Sequence, residues 1–149
     1  MQTIVQHNPF AGTVPKIHAN STRALWIGRL ISGLAVAFLI FDSVGKLLAL
    51  PVVIAGTKQV GYPPDIVFSL GATLLLCVLA YVVPRTSVLG AVLLTGYLGG
   101  AVATHVRIGN PLFTHILFPT YAAAFLWGGL VLRDARLQAF LPWRDRSRS

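Results

Sequence analysis

Residues 66–84 (IVFSLGATLLLCVLAYVVP), 86–104 (TSVLGAVLLTGYLGGAVAT) and 116–132 (ILFPTYAAAFLWGGLVL) contain no charged side chain. Each run is close to the ~20 residues that carry a helix across a hydrocarbon core. None shows the polar stripe that a helix facing water on one side needs. Composition agrees: 55% of the 149 residues are hydrophobic and 11% charged, against about 25% charged in an ordinary soluble domain, and mean hydropathy is +0.73. A soluble chain of this size could not cover its surface with so few polar groups.

A fourth apolar segment, 23–50, precedes these and differs from them by carrying Arg29, Asp42 and Lys46. "NST" at 20–22 offers N-cap side chains before it, and Pro51 marks its end. The segment 51–65 (PVVIAGTKQVGYPPD) is broken by proline and glycine and reads as a loop at the membrane interface. Arg85 sits in a very short connection, which makes spans two and three an antiparallel hairpin. The expected fold is all-α: an integral membrane bundle of four transmembrane helices, over about 23–50, 66–84, 86–107 and 115–133. Tails 1–22 and 135–149 flank it.

Lys and Arg collect on the cytoplasmic side of membrane proteins. With both ends inside, nine of the 12 lie inside (Lys16, Arg23, Arg29, Arg85, Arg133, Arg136, Arg144, Arg146, Arg148) and three outside (Lys46, Lys58, Arg107). Both termini are therefore expected to be cytoplasmic. Residues 1–22 lack the apolar core of a signal peptide. The ending "RDARLQAFLPWRDRSRS" starts amphipathic, with Leu137, Phe140, Leu141 and Trp143 among arginines, as an anionic leaflet would attract; a solvated tail is the other reading. The net charge of +8 suggests nucleic acid at first sight. It lies mainly in tails and connections, and no basic helix with interleaved aromatics offers a reading surface. The single Cys77 permits no intrachain disulfide, CxxC pair or cysteine-based zinc site.

In this topology Asp42, Lys46, His105, Arg107 and His115 all lie toward one leaflet. At about 100° per residue, Gly96, Gly99, Gly100, Ala103 and Arg107 share one arc of span three, and Gly28, Ser32, Ala35, Asp42 and Lys46 share one of span one. Small residues at such spacing let membrane helices approach closely. Gly28, Ser32, Gly96, Gly99 and Gly100 are thus expected helix-packing positions, with Arg107 aimed into the bundle at Asp42. Asp42 also has Lys46 four residues on. A structural ion pair and a ligand-contacting pair remain two readings of these charges. His105 lies about 200° around from Arg107, on the face of Tyr97 and Ala101. His105 and His115 would need a further ligand to hold a metal, and no metal site is assigned.

"LISGLAVAFLIFDSVGKLL", "VGYP", "LLCVLAYVVPRTSVLGAVLLTGYLGGAVATHVRIGNPLF" and "LWGGLVLRDARLQAFLP" resemble the DoxX-like family of small bacterial membrane proteins over residues 25–142. The resemblance implies a four-helix membrane bundle, in a family whose functions are largely unassigned. The family's name comes from a subunit linked to a thiosulfate:quinone oxidoreductase. Other relatives are associated with redox or oxidative-stress systems, and a distant similarity links the bundle to EXPERA-type proteins that hold sterol-like ligands. The family's motif positions fall here on Asp42, Lys46, Tyr62, Pro63, Pro84, Arg85, Gly96, Gly99, Gly100, His105 and Arg107. No catalytic role transfers with them. Some relatives carry a carboxylate in the second span; here 66–83 has none, which counts against a proton relay there.

The functional expectation is a small-molecule-binding or accessory membrane component with a polar pocket leaning outward. Asp42, Lys46, Tyr62, His105, Arg107 and His115 are its candidate ligand residues; no cofactor is assigned, a quinone being the one to consider. Expected partners are the lipid bilayer, a redox protein or further copies of the chain, and no nucleic acid. The alternatives are the membrane subunit of a quinone-linked oxidoreductase, with no redox centre of its own, and an oligomeric transporter or channel.

Overall fold

The computed structural model describes residues 22–134 and 137–138; both expected tails, with Phe140, Leu141 and Trp143, lie otherwise outside the described residues. Five helices follow in order: α1 (Thr22–Leu47), α2 (Pro51–Gln59), α3 (Val67–Val82), α4 (Ser87–Arg107) and α5 (Phe118–Arg133). A 3₁₀ turn at Pro64–Ile66 leads into α3, and a π-type turn at Leu112–Ile116 leads into α5. With those turns counted, Thr22–Leu47, Pro64–Val82, Ser87–Arg107 and Leu112–Arg133 are long and apolar enough to cross a membrane, at mean hydropathies of 2.0, 2.1, 1.6 and 1.5. Hydrocarbon offers no hydrogen-bond partners, so such segments bond their backbones internally as helices. The chain is a four-span helical membrane protein, and its large exposed side chains, such as Leu30, Leu34, Phe41 and Leu76, suit contact with lipid.

Residues 51–59 correct the expectation of a loop. Pro51 opens α2 at its first turn, where a missing N–H removes no helical bond. Proline is here a start signal as well as a stop. The preceding span ends three residues earlier than expected, at Leu47. Ala49 has a φ of 48°, and Leu50 N donates to Gly45 O at 3.1 Å, the six-to-one bond that closes a helix over a left-handed residue. α4 closes the same way: Gly109 has a φ of 69° and Asn110 N donates to His105 O at 3.1 Å.

α1 and α4 each pack against both α3 and α5. The four spans therefore form a ring in the order α1, α3, α4, α5, with antiparallel neighbours and with α1 and α4 on a diagonal. The ring has two unlike ends. The turn end carries the start of α1, the α3–α4 turn and the end of α5; the strap end carries α2 and the π-type turn.

The core is solid toward the turn end, where Leu74, Val78, Tyr81, Leu94, Leu126 and Leu130 are almost fully buried. Tyr81 is the polar member and ties three helices: its Oη donates to Leu126 O at 2.7 Å and accepts from Ser32 Oγ at 3.0 Å. α1 and α5 cross at Gly28 and Gly129. A Cβ on Gly28 would lie 2.8 Å from Leu132 Cβ and 3.0 Å from Gly129 O, so this crossing depends on glycine. Gly96, Gly99 and Gly100 do not behave this way, since a Cβ on any of them would meet nothing within 4 Å. Within the protomer they are not packing positions, because α4 turns that arc partly to the cavity described next and partly outward.

Candidate functional site

Because α1 and α4 face each other diagonally, the bundle must fill the space between them with side chains. Toward the strap end it does not. α4 offers Gly96, Gly100 and Ala101, and α5 offers Pro119 and Ala122, which leaves a cavity of about 470 Å³. Phe38, Leu39, Leu70, Leu98 and Phe118 supply apolar walls, with Phe38 and Phe118 in edge-to-face contact at 5.2 Å between ring centroids. The lining runs from Phe38 to Lys46 on α1 and at least from Tyr97 to His105 on α4, about 12 Å along each axis at 1.5 Å per residue.

The polar lining consists of Asp42, Lys46, Thr57, Tyr62, Tyr97, Thr104 and His105. Lys46 Nζ lies 2.5 Å from both carboxylate oxygens of Asp42, one turn along the same helix. The charges cancel within the wall, as a carboxylate at membrane depth requires. His105 is held by the loop that ends α4: Asn110 Nδ2 is 2.7 Å from His105 Nδ1. With the amide donating, Nε2 carries the ring proton and is the free donor. Thr104 Oγ1 donates to Gly100 O at 2.9 Å, so the 3.1 Å contact with Tyr62 Oη has the tyrosine as donor. Tyr62 thereby closes α3's approach loop against α4.

Two expectations about direction are corrected. Arg107 does not reach Asp42. Its Nη2 donates to Val60 O at 2.6 Å, and its guanidinium sits 5.9 Å from the Tyr62 ring centroid. It fastens the end of α2 from outside the cavity, since α1 lies across the diagonal with the strap between. His105, placed by wheel geometry away from the packed ridge, faces the cavity together with Tyr97 and Ala101. The ridge, not the histidine, was misdirected. His115 also stays outside the lining. It stands beside His105 with ring centroids 5.7 Å apart, and its Nδ1 is 2.8 Å from Thr114 Oγ1.

Of the six candidate ligand residues, the cavity thus gathers Asp42, Lys46, Tyr62 and His105 and leaves out Arg107 and His115. Thr57, Tyr97 and Thr104 were not singled out as candidates. Tyr97 and Thr104 had a legible signal, lying with His105 and Ala101 at spacings of 3, 4, 7 and 8 on one helical face. Thr57 had none, because its segment read as a loop.

The DoxX-like family profile matches residues 30–129, which takes in most of α1, all of α2–α4 and most of α5. The chain belongs to the DoxX-like family. No curated protein and no solved structure matches it. Asp42, Lys46, Tyr62, Gly96, Gly100 and His105 line the cavity within the matched region, while Arg107 braces its strap.

Proposed function

We propose that this DoxX-like protein binds a small, flat, largely apolar molecule with hydrogen-bonding oxygens at one end, a quinone-like ligand, without itself performing chemistry on it. The observation that carries this reading is the shape of the cavity. Its volume of about 470 Å³ falls within the range of small-molecule sites, about 300–1,000 Å³. Its apolar walls and its few convergent polar groups fit a ligand with an oily body and a polar head. His105 Nε2–H and the Tyr97 hydroxyl are suited to bond a carbonyl or phenol oxygen, and the neutralised Asp42–Lys46 pair disfavours a charged ligand. The nine-to-three distribution of Lys and Arg supports an inner-membrane orientation with both termini inside, which would open the cavity toward the outer leaflet.

The test uses the protein purified in native lipid discs, extraction and mass spectrometry of what is retained, and titration with a short-chain ubiquinone. Gly100→Leu should project a bulky side chain into the cavity and sharply reduce retention while the protein stays folded, since a Cβ there meets nothing within 4 Å. His105→Gln and Tyr97→Phe should each weaken binding about tenfold, the equivalent of one hydrogen bond. Unaltered quinone binding in a folded Gly100→Leu protein would rule the reading out.

A further inference from the structure

The turn end carries a second concavity, of about 410 Å³, between the start of α1, the end of α5 and the α3–α4 turn. Leu25, Pro84 and Leu130 form its apolar sides, and Arg29, Arg133 and Asp134 its charged ones. The glycine crossing puts the two arginines there: a Cβ on Gly28 would be 3.2 Å from Arg133 N, so Arg29, the next residue on α1, and Arg133 stand on either side of one tight seam. Each guanidinium is already supported from one side. Arg133 lies 4.8 Å from the Tyr81 ring centroid, and Arg29 lies 5.7 Å from the Trp26 ring. Among the described residues neither makes an ion pair.

Arg29 lies about two helical turns into α1, about 10 Å from Thr22, at a depth where an uncompensated cation is costly unless it is paired or reaches the headgroup layer. Counter-charge within the chain is scarce here. Among the described residues this end holds Arg23, Arg29, Arg85 and Arg133 against Asp134, 4 − 1 = +3. Two guanidinium forks beside one seam offer N–H donors suited to a phosphodiester, and leucines flank them. Exposed Leu30 and Leu34 continue along α1 toward the middle of the bilayer from the same place, as an acyl chain would.

We propose that this groove is a specific site for an anionic phospholipid, with Arg29 and Arg133 holding its phosphate and the α1 face along Leu30 and Leu34 receiving its chains. The site is independent of the quinone-like ligand at the opposite end. Mass spectrometry of the intact protein released from phosphatidylcholine discs doped with phosphatidylglycerol or cardiolipin tests it. One anionic lipid should stay bound per chain, and Arg29→Gln should reduce that occupancy at least fivefold. Arg29 is exposed, so this variant folds. Arg85→Gln removes the same charge from the turn outside the groove and should leave occupancy unchanged, as should His105→Gln. Equal losses in Arg29→Gln and Arg85→Gln would reduce the effect to diffuse attraction and overturn the proposal. Retention of phosphatidylcholine to the same degree would also overturn it. Displacement of the lipid by millimolar inorganic phosphate would do so too, by making this a site for a free anion.

Discussion

Asp42 and Lys46 carry opposite charges 2.5 Å apart inside a membrane helix, and each is tolerable only because of the other. Removing one partner strands a charge; removing both replaces the pair by neutral groups that still hydrogen bond. Asp42→Asn should therefore destabilise the protein by about 1–2 kcal/mol, less than a fully buried pair would lose, because both side chains retain some exposure. The double variant Asp42→Asn/Lys46→Gln should recover most of that loss in a thermal-unfolding series in detergent. A double variant less stable than the single one would show that the pair is worth more than its parts. This pair was legible in the sequence, since a spacing of four fixes two side chains on one helical face whatever surrounds them. The partner of Arg107 was not. Wheel angles give a direction about an axis but say nothing of which helix stands in that direction, and the ring order puts α1 across the diagonal from α4.

At the scale of elements, three of the four spans were readable as charge-free runs of membrane length and the first as a long apolar run despite Arg29, Asp42 and Lys46; α2 was not, because Pro51 serves a helix start and a helix stop equally. The glycines divide along the same line. Gly90 lies where α4 turns back on α3, and an added Cβ would collide with the backbone of Ala80 and Tyr81, atoms that cannot move aside without opening the hairpin. Gly99, nine residues along the same helix, faces open space. Gly90→Ala should lower the unfolding temperature sharply or prevent accumulation in the membrane, whereas Gly99→Ala should leave the protein at least as stable as before. The two substitutions are chemically identical, so the comparison isolates packing from helix propensity. Sequence spacing grouped Gly96, Gly99 and Gly100 into a packing ridge because small residues look alike whether they admit a neighbouring helix or vacate a cavity. Only the cross-bundle arrangement tells the two apart.

For the whole molecule, the two ends of the ring differ in kind. The strap end has a neutralised, hydroxyl-rich cavity, and the turn end has a groove under net positive charge. The charge asymmetry gives the proposed orientation a physical cause: Lys and Arg resist translocation, so the short α3–α4 turn with Arg85 would stay on the side where the chain is made. Arg85 and Lys58 mark opposite ends on exposed connecting segments, which makes them suitable reporters. With Cys77 replaced by alanine, Lys58→Cys should react with a membrane-impermeant maleimide in intact cells, and Arg85→Cys only after the membrane is opened. The proposed functions depend on the result in different ways. A quinone-like ligand can enter the cavity from either leaflet, but an anionic phospholipid groove at the turn end belongs in a cytoplasmic leaflet rich in negative charge. Labelling of Arg85→Cys in intact cells would invert the protein, and the same arginines would then face the leaflet where that attraction is weakest.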